Sequence, residues 1–315
     1  MKTSDAPRIA GRSRWSLRAA LALAALPACS SGASSGLAGT DAGDPSADAG
    51  GESPLDAAAG ACTAGCTGKA PAGSMCVVEI DGQLVDATGA PVVGEALFVC
   101  GTNLCSLPVK TDAQGNARFS VCANMVAPAF KYLGGTRYVS FAAAVTKPTQ
   151  TFPPVTIVPL PSEGVAFPAG EGQVSSGPVT LQVAAGAVTF DPSAGAAPSV
   201  QEFRAAAMDL AKAPPGLDPS FGAKGLWGLS PLNATLAPAG TLTVPNPDTS
   251  DWKPGTKVDF FMNGLDGFPN PPVPYGGWGP VGTGTVSADG QSITTDTGPG
   301  NGVPIVGIIG VGRHS

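Results

Sequence analysis

The chain has 315 residues and a formal net charge of -6, with only 13% charged and 6% aromatic residues. Its 44 glycines and 32 prolines, about a quarter of the total, disfavour long helices, whose interiors tolerate neither residue. Five bases, Lys2, Arg8, Arg12, Arg14 and Arg18, lie before residue 20, so the rest carries 12 bases against 22 acids, a poor surface for nucleic-acid phosphate.

The N-terminal 28 residues read as a basic region, a short apolar run from Leu17 to Leu26, and small residues before Cys29. The run is too short to cross a bilayer and has the length of a signal-peptide core. Leu26-Pro27-Ala28-Cys29 resembles the lipobox of bacterial lipoproteins, although Pro27 departs from the usual pattern. That resemblance implies cleavage before Cys29, a diacylglycerol on its thiol and, with Ser30 following, sorting to the outer membrane or cell surface. The rival reading is a secretory signal cut after Ala28 without lipidation. Residues 1–28 are therefore taken as the signal and 29–61 as a flexible linker of Ser, Gly, Ala and Asp. Such a linker buries too little apolar surface to offset its ordering entropy. The Gly-x-Ser-x-Gly spacing around Ser34 falls inside this linker, without the strand and helix that a hydrolase elbow needs.

With Cys29 set aside, six cysteines remain: Cys62, Cys66, Cys76, Cys100, Cys105 and Cys122. An even count clustered in an exported chain points to three disulfides, with fifteen pairings open. Zinc is the weaker alternative, because paired Cys-x-x-Cys knuckles are missing. No metal or cofactor is expected.

From Cys76 onward the pattern is β. Val77 to Ile80 and Leu84-Val85 flank Asp81-Gly82, which reads as a hairpin turn. Strands are expected at Ala96–Cys100, Val109–Thr111, Ala117–Val121 and Arg137–Phe141, with turns at residues 86–91 and 112–116. Asp86 and Asp112 suit turn formation through their side-chain oxygens. Calcium at Asp112 and Asn116 is disfavoured by the loop spacing. The run GQLVDATGAPVVGEALFVC followed by VKTDAQGNARFSV resembles the carboxypeptidase regulatory-like family, small transthyretin-like β-sandwiches without catalytic activity of their own. The first domain is placed at 62–155.

The second domain is placed at 156–315. Strands are expected at 179–183 and 187–190, within 226–231, 240–245 and 257–262, and in a hairpin about Ala288-Asp289-Gly290. Residues 200–212, VQEFRAAAMDLAK, are the best helix candidate, with only partial helical periodicity and Pro214-Pro215 as its stop; a strand rich in alanine is the alternative. The segments VTLQVAAGAV, WGLSPLNATLAPAGTLTVPN and GWGPVGTGTVSADGQSITTD resemble bacterial ZU5-like sandwiches. Some of these cleave themselves at a His-Phe-Ser site, but the only histidine here is His314, followed by Ser315, so that activity is not carried over.

A single histidine is also too few for zinc-hydrolase signatures and leaves little room for a nucleophile triad. The loop FPNPPVPYGGWG carries Phe268, Tyr275 and Trp278, a candidate aromatic ligand platform, against which stands the plainer reading of these rings as core. The sequence thus predicts an all-β protein: two consecutive β-sandwich domains behind a disordered tether. The expected role is non-catalytic binding, adhesion or scaffolding in the envelope. The membrane would be held through Cys29, and an envelope protein or polysaccharide would be the partner. An accessory subunit of an envelope enzyme, or a secreted hydrolase, is the alternative.

Overall fold

The computed structural model describes residues 66–67, 69–190, 201–232, 234–265 and 273–314. Cys29, Cys62 and Phe268 lie outside the described residues. No helix among the described residues is long and apolar enough to cross a membrane.

Two β lobes make up the described chain. In the first, β1 (Ser74–Val85) runs between β4 (Asn116–Val126), antiparallel to it, and β7 (Thr149–Thr151), parallel to it; β8 (Val155–Thr156) pairs with its far end. The opposing sheet has the order β3 (Val109–Lys110), β2 (Ala96–Cys100), β5 (Ala129–Tyr132), β6 (Phe141–Ala144). Alternate residues of the two sheets meet in a core of Ile80, Leu84, Leu97 and several aromatic rings, as sandwich packing requires. Phe130 is its hub: it stacks on Phe152 at 5.0 Å and takes Phe119 edge-on at 6.3 Å.

The expected hairpin at Asp81-Gly82 does not form. Both residues lie inside β1, opposite Arg118 and Ala117. Glycine is needed at position 82 for packing rather than turning, because a Cβ there would overlap the Phe130 ring. The turns expected at 86–91 and 112–116 do form. Asp86 Oδ1 accepts from the N–H groups of Thr88 and Ala90, and Asp112 Oδ1 from those of Gln114 and Asn116. The strand expected at Arg137–Phe141 starts only at Phe141.

The second lobe comprises β9 (Val165–Ala166), β10 (Gly172–Ser176), β11 (Val179–Val183), β12 (Val188–Phe190), β13 (Glu202–Met208), β14 (Ala223–Ser230), β15 (Ala234–Pro245), β16 (Lys257–Asn263), β17 (Trp278–Val286), β18 (Ser292–Thr295), β19 (Val303–Ile305) and β20 (Ile308–Arg313). Hydrogen bonds link β10, β11, β15, β18, β17, β16, β20, β14, β13 and β9 in that order. The sheet curls until its ends approach, and Ala205 N on β13 donates to Ser176 Oγ on β10 at 2.9 Å. The β17–β18 hairpin forms about Asp289-Gly290 as expected, with Val286 opposite Ile293.

Residues 202–208 are a strand, the alternative to the helix reading. Phe203 packs into the core of the second lobe, while Met208 belongs to a core shared with the first lobe. Packing on both sides removes the polar alternation that would have marked a strand, and small alanines allow it.

The lobes join through this shared core. Met208, Leu226, Phe261, Trp278 and Ile308 of the second lobe cluster with the aromatic residues of the first. At Gly228 a Cβ would overlap the Val139 side chain, so the backbones approach closely there. Asn263, fully buried, continues the first lobe's sheet: its Oδ1 accepts from Ala142 N at 3.0 Å and its Nδ2 donates to Ala142 O at 2.9 Å. A side-chain amide thus replaces a backbone partner for the edge strand β6.

Candidate ligand-binding site on the first lobe

Strand alternation places Glu79, Asp81 and Gln83 on the outer face of β1, while Ile80 and Leu84 point into the core. Register then sets their neighbours. Asp81 stands between Arg118 on β4 and Thr151 on β7, and Gln83 lies opposite Asn116. After Thr151 the ladder is interrupted by Phe152-Pro153-Pro154, where two prolines have no N–H to donate, and it resumes at Val155. Phe152 turns inward to stack on Phe130. The interruption leaves a hollow of about 470 Å³, with Asp81, Gln83, Asn116, Arg118 and Thr151 across it, Pro154 at one side and Asp112 at the rim.

The charges here are arranged in layers. Glu79 is only 6% exposed, and Arg118 Nη2 donates to both its carboxylate oxygens at 2.7 Å. The guanidinium is 3.8 Å from Asp81, which it shares less closely. Burial raises the Asp81 carboxyl above the usual range, Arg118 opposes this, and the neighbouring Glu79 adds to it. Asp112 is shifted the other way, chiefly because the N–H of Asn116 donates to it. One guanidinium therefore serves two carboxylates, with a third at the rim. The hollow combines surplus acceptors with the donors of Arg118, Asn116 and Thr151. Anions are disfavoured there. A hydroxyl group, which donates and accepts at once, suits such a mixed lining.

In the sequence Asp81-Gly82 has the chemistry of a turn, which conceals the position of Asp81 within β1. The usable signal was the alternation of polar Glu79, Asp81 and Gln83 with Ile80 and Leu84.

The aromatic residues of the final third sit elsewhere. Tyr275 is 7% exposed and packs with Ala129, Ala142, Leu232 and Leu265, with Lys131 Nζ 5.7 Å from its ring centre. Trp278 is 9% exposed and meets Phe261 edge-on at 5.9 Å. Both rings are core, as are Trp227 and Trp252, and neither Tyr275 nor Trp278 presents a face to a ligand. His314 Nδ1 lies 2.5 Å from Asp259 Oδ1 on the second lobe. Two disulfides join described cysteines, Cys66–Cys76 and Cys100–Cys105, and Cys122 is also disulfide-bonded. Among the described residues no cluster of three or more His, Cys, Asp or Glu is placed to hold a metal ion.

No family model matches the chain, and no curated protein matches it. A solved structure from Bacteroides uniformis, a "putative carbohydrate binding protein", is similar over 52% of this chain and 73% of its own. Identity is 14% and the TM-score 0.20, too low for that protein's binding to bear on this one.

Proposed function

We propose that the protein is an exported, lipid-tethered envelope protein that binds a hydroxyl-rich ligand, an envelope glycan, without chemically altering it. In this reading Cys29 carries the lipid, the outer membrane or cell surface is its location, and the first lobe acts as a carboxypeptidase regulatory-like binding module. One observation carries the binding role. Side chains from three adjacent strands line one hollow with interleaved acceptors and donors, and among the described residues the Asp81 carboxylate has a guanidinium 3.8 Å away as its ion-pair partner. The oxidised cysteines support an exported location, since disulfides persist in oxidising compartments. The residues in the hollow are poorly arranged for catalysis. Asp112 is committed to its own turn and Arg118 to Glu79.

Titration of purified envelope polysaccharide into the protein, followed by calorimetry, tests this. Binding should occur, and Asp81→Ala should weaken it about tenfold or more, the scale of a lost charge-assisted hydrogen bond. Polysaccharide that binds Asp81→Ala as well as wild type, or fails to bind either, refutes the assignment. Release of reducing ends on incubation would refute the non-catalytic part.

A further inference from the structure

The described cysteines gather at one pole of the first lobe. The Cys66–Cys76 bond ties the entering chain to the start of β1, and Cys100–Cys105 closes the loop after β2. Cys122, also oxidised, lies near the end of β4. A relay of amide side chains joins the same segments. Asn124 Nδ2 donates to Cys66 O at 3.2 Å, Asn103 Nδ2 donates to Asn124 O at 3.0 Å, and Val126 N donates to Asn103 Oδ1 at 2.9 Å. The loop before β7 reaches this end too, where Pro148 O accepts from Val78 N and Val145 N donates to Pro128 O.

Two features set this pole apart. The disulfide-closed loop and the residues after it hold Leu104 and Leu107 outward, 38% and 87% exposed, two of the four exposed large apolar side chains among the described residues. Charge is the second. Residues 66–78, 100–109, 121–130 and 142–149 contain exposed Lys69 and Lys147 and no carboxylate, in a chain of net charge -6. Glu79, the first carboxylate of β1, pairs with Thr149 at the border of this end and is already held by Arg118. The described chain begins at this pole, at Cys66, and under the tethered reading the linker 29–61 reaches about 30 Å.

We propose that this pole is a membrane-contact surface that docks on an anionic lipid bilayer. Leu104 and Leu107 enter the interfacial region, and Lys69 and Lys147 lie over lipid phosphates. The disulfides and the amide relay keep the leucines from folding back into the lobe. β1 rises about 3.3 Å per residue, so the hollow around Asp81 and Gln83 stands roughly 25 Å from Ser74, on the side away from the lipid. The tethered reading supplies only the nearness of a bilayer. The contact itself belongs to the folded chain and is tested without the anchor.

Flotation with vesicles provides the test, using the chain from residue 29 onward with Cys29→Ala so that no acyl group contributes. Wild type should float with vesicles of phosphatidylcholine and phosphatidylglycerol, less at high salt, and stay below with phosphatidylcholine alone. Leu104→Ser with Leu107→Ser should weaken vesicle binding roughly tenfold or more. Lys69→Glu and Lys147→Glu should each cost at least about fivefold on anionic vesicles. The lysine variants and Leu107→Ser alone should melt with wild type, and Leu107→Ser alone should already weaken vesicle binding, which covers the case that Leu104, 38% exposed, contributes to folding. A wild-type chain that does not float with anionic vesicles at low salt overturns the proposal. So does a double leucine variant that floats equally well. Asp81→Ala should float like wild type, and the leucine variants should keep polysaccharide binding, so a failure here is distinct from a failure of the glycan assignment.

Discussion

Replacing Asn263 with leucine should sharply destabilise the described fold as one cooperative unit. Asn263 is fully buried, and its amide satisfies both the N–H and the C=O of Ala142 on the edge strand β6. Leucine keeps the same branching of side-chain heavy atoms but is bulkier, and it leaves both groups without partners. Each orphaned buried group costs about 1–3 kcal/mol, so the loss is about 2–6 kcal/mol. The third bond, to Gly277 O at 3.1 Å, adds little, because Gly264 N also donates to that carbonyl. In a folded unit of this size each kcal/mol moves the melting temperature by about 2–4 °C, so scanning calorimetry should show a fall of about 10 °C. Asn263→Asp provides an internal check. Its carboxyl would still accept from Ala142 N, but in ionised form it would face the carbonyl of Ala142, so its folded pKa is raised. The protonated form can donate to that carbonyl. The deficit should therefore be smallest below the unfolded carboxylate value, about 4, and grow as pH rises through the raised folded value. A leucine variant that melts within about 2 °C of wild type, or an aspartate variant with the same deficit at pH 4 and pH 8, would refute the role assigned to Asn263.

Gly228→Ala should destabilise by about 1–3 kcal/mol through overlap with Val139, and Val139→Ala in the same chain should recover part of that loss in chemical denaturation. Asp296 is held at about 2 by hydrogen bonds from Lys257, Thr283 and Thr285, against the opposing effect of burial. Its folded value lies below the unfolded one, so its contribution is present above about pH 4 and is lost as pH falls toward 2. Asp296→Asn should flatten the stability profile in that window, and an unchanged acid-unfolding curve would count against the network. Glycan binding that needs ionised Asp81 should weaken on acidification at a higher pH than an ordinary carboxylate would set, because burial raises that group. A binding constant that stays level from pH 7 to pH 4 would exclude Asp81 as a charged acceptor.

Strands that are buried on one face were legible in the sequence, as were tight turns. The β17–β18 hairpin and the Asp86 and Asp112 turns follow from local chemistry, since Asp-Gly and Asx oxygens act on the nearest backbone N–H groups. Two segments misled for one physical reason, which is that long-range packing decides them. Asp81-Gly82 resembles a turn, and only the Phe130 ring, 48 residues on, explains why a continuing strand needs glycine there. Glu202–Met208 looks helical because both of its faces are packed, toward different clusters.

The site followed the same rule. No spacing in the sequence brings Arg118 and Thr151 to Asp81, because a strand register across three chain segments does so. Charge can be read at the level of segments, however, and it divides the first lobe. The runs that meet at the cysteine pole contain lysines and no carboxylate, while Glu79, Asp81 and Asp112 lie along and beyond the middle of β1. The cysteines follow the same division. They brace the pole where the chain enters and where leucines are exposed, and leave the hollow to be shaped by strand register and by Pro153-Pro154.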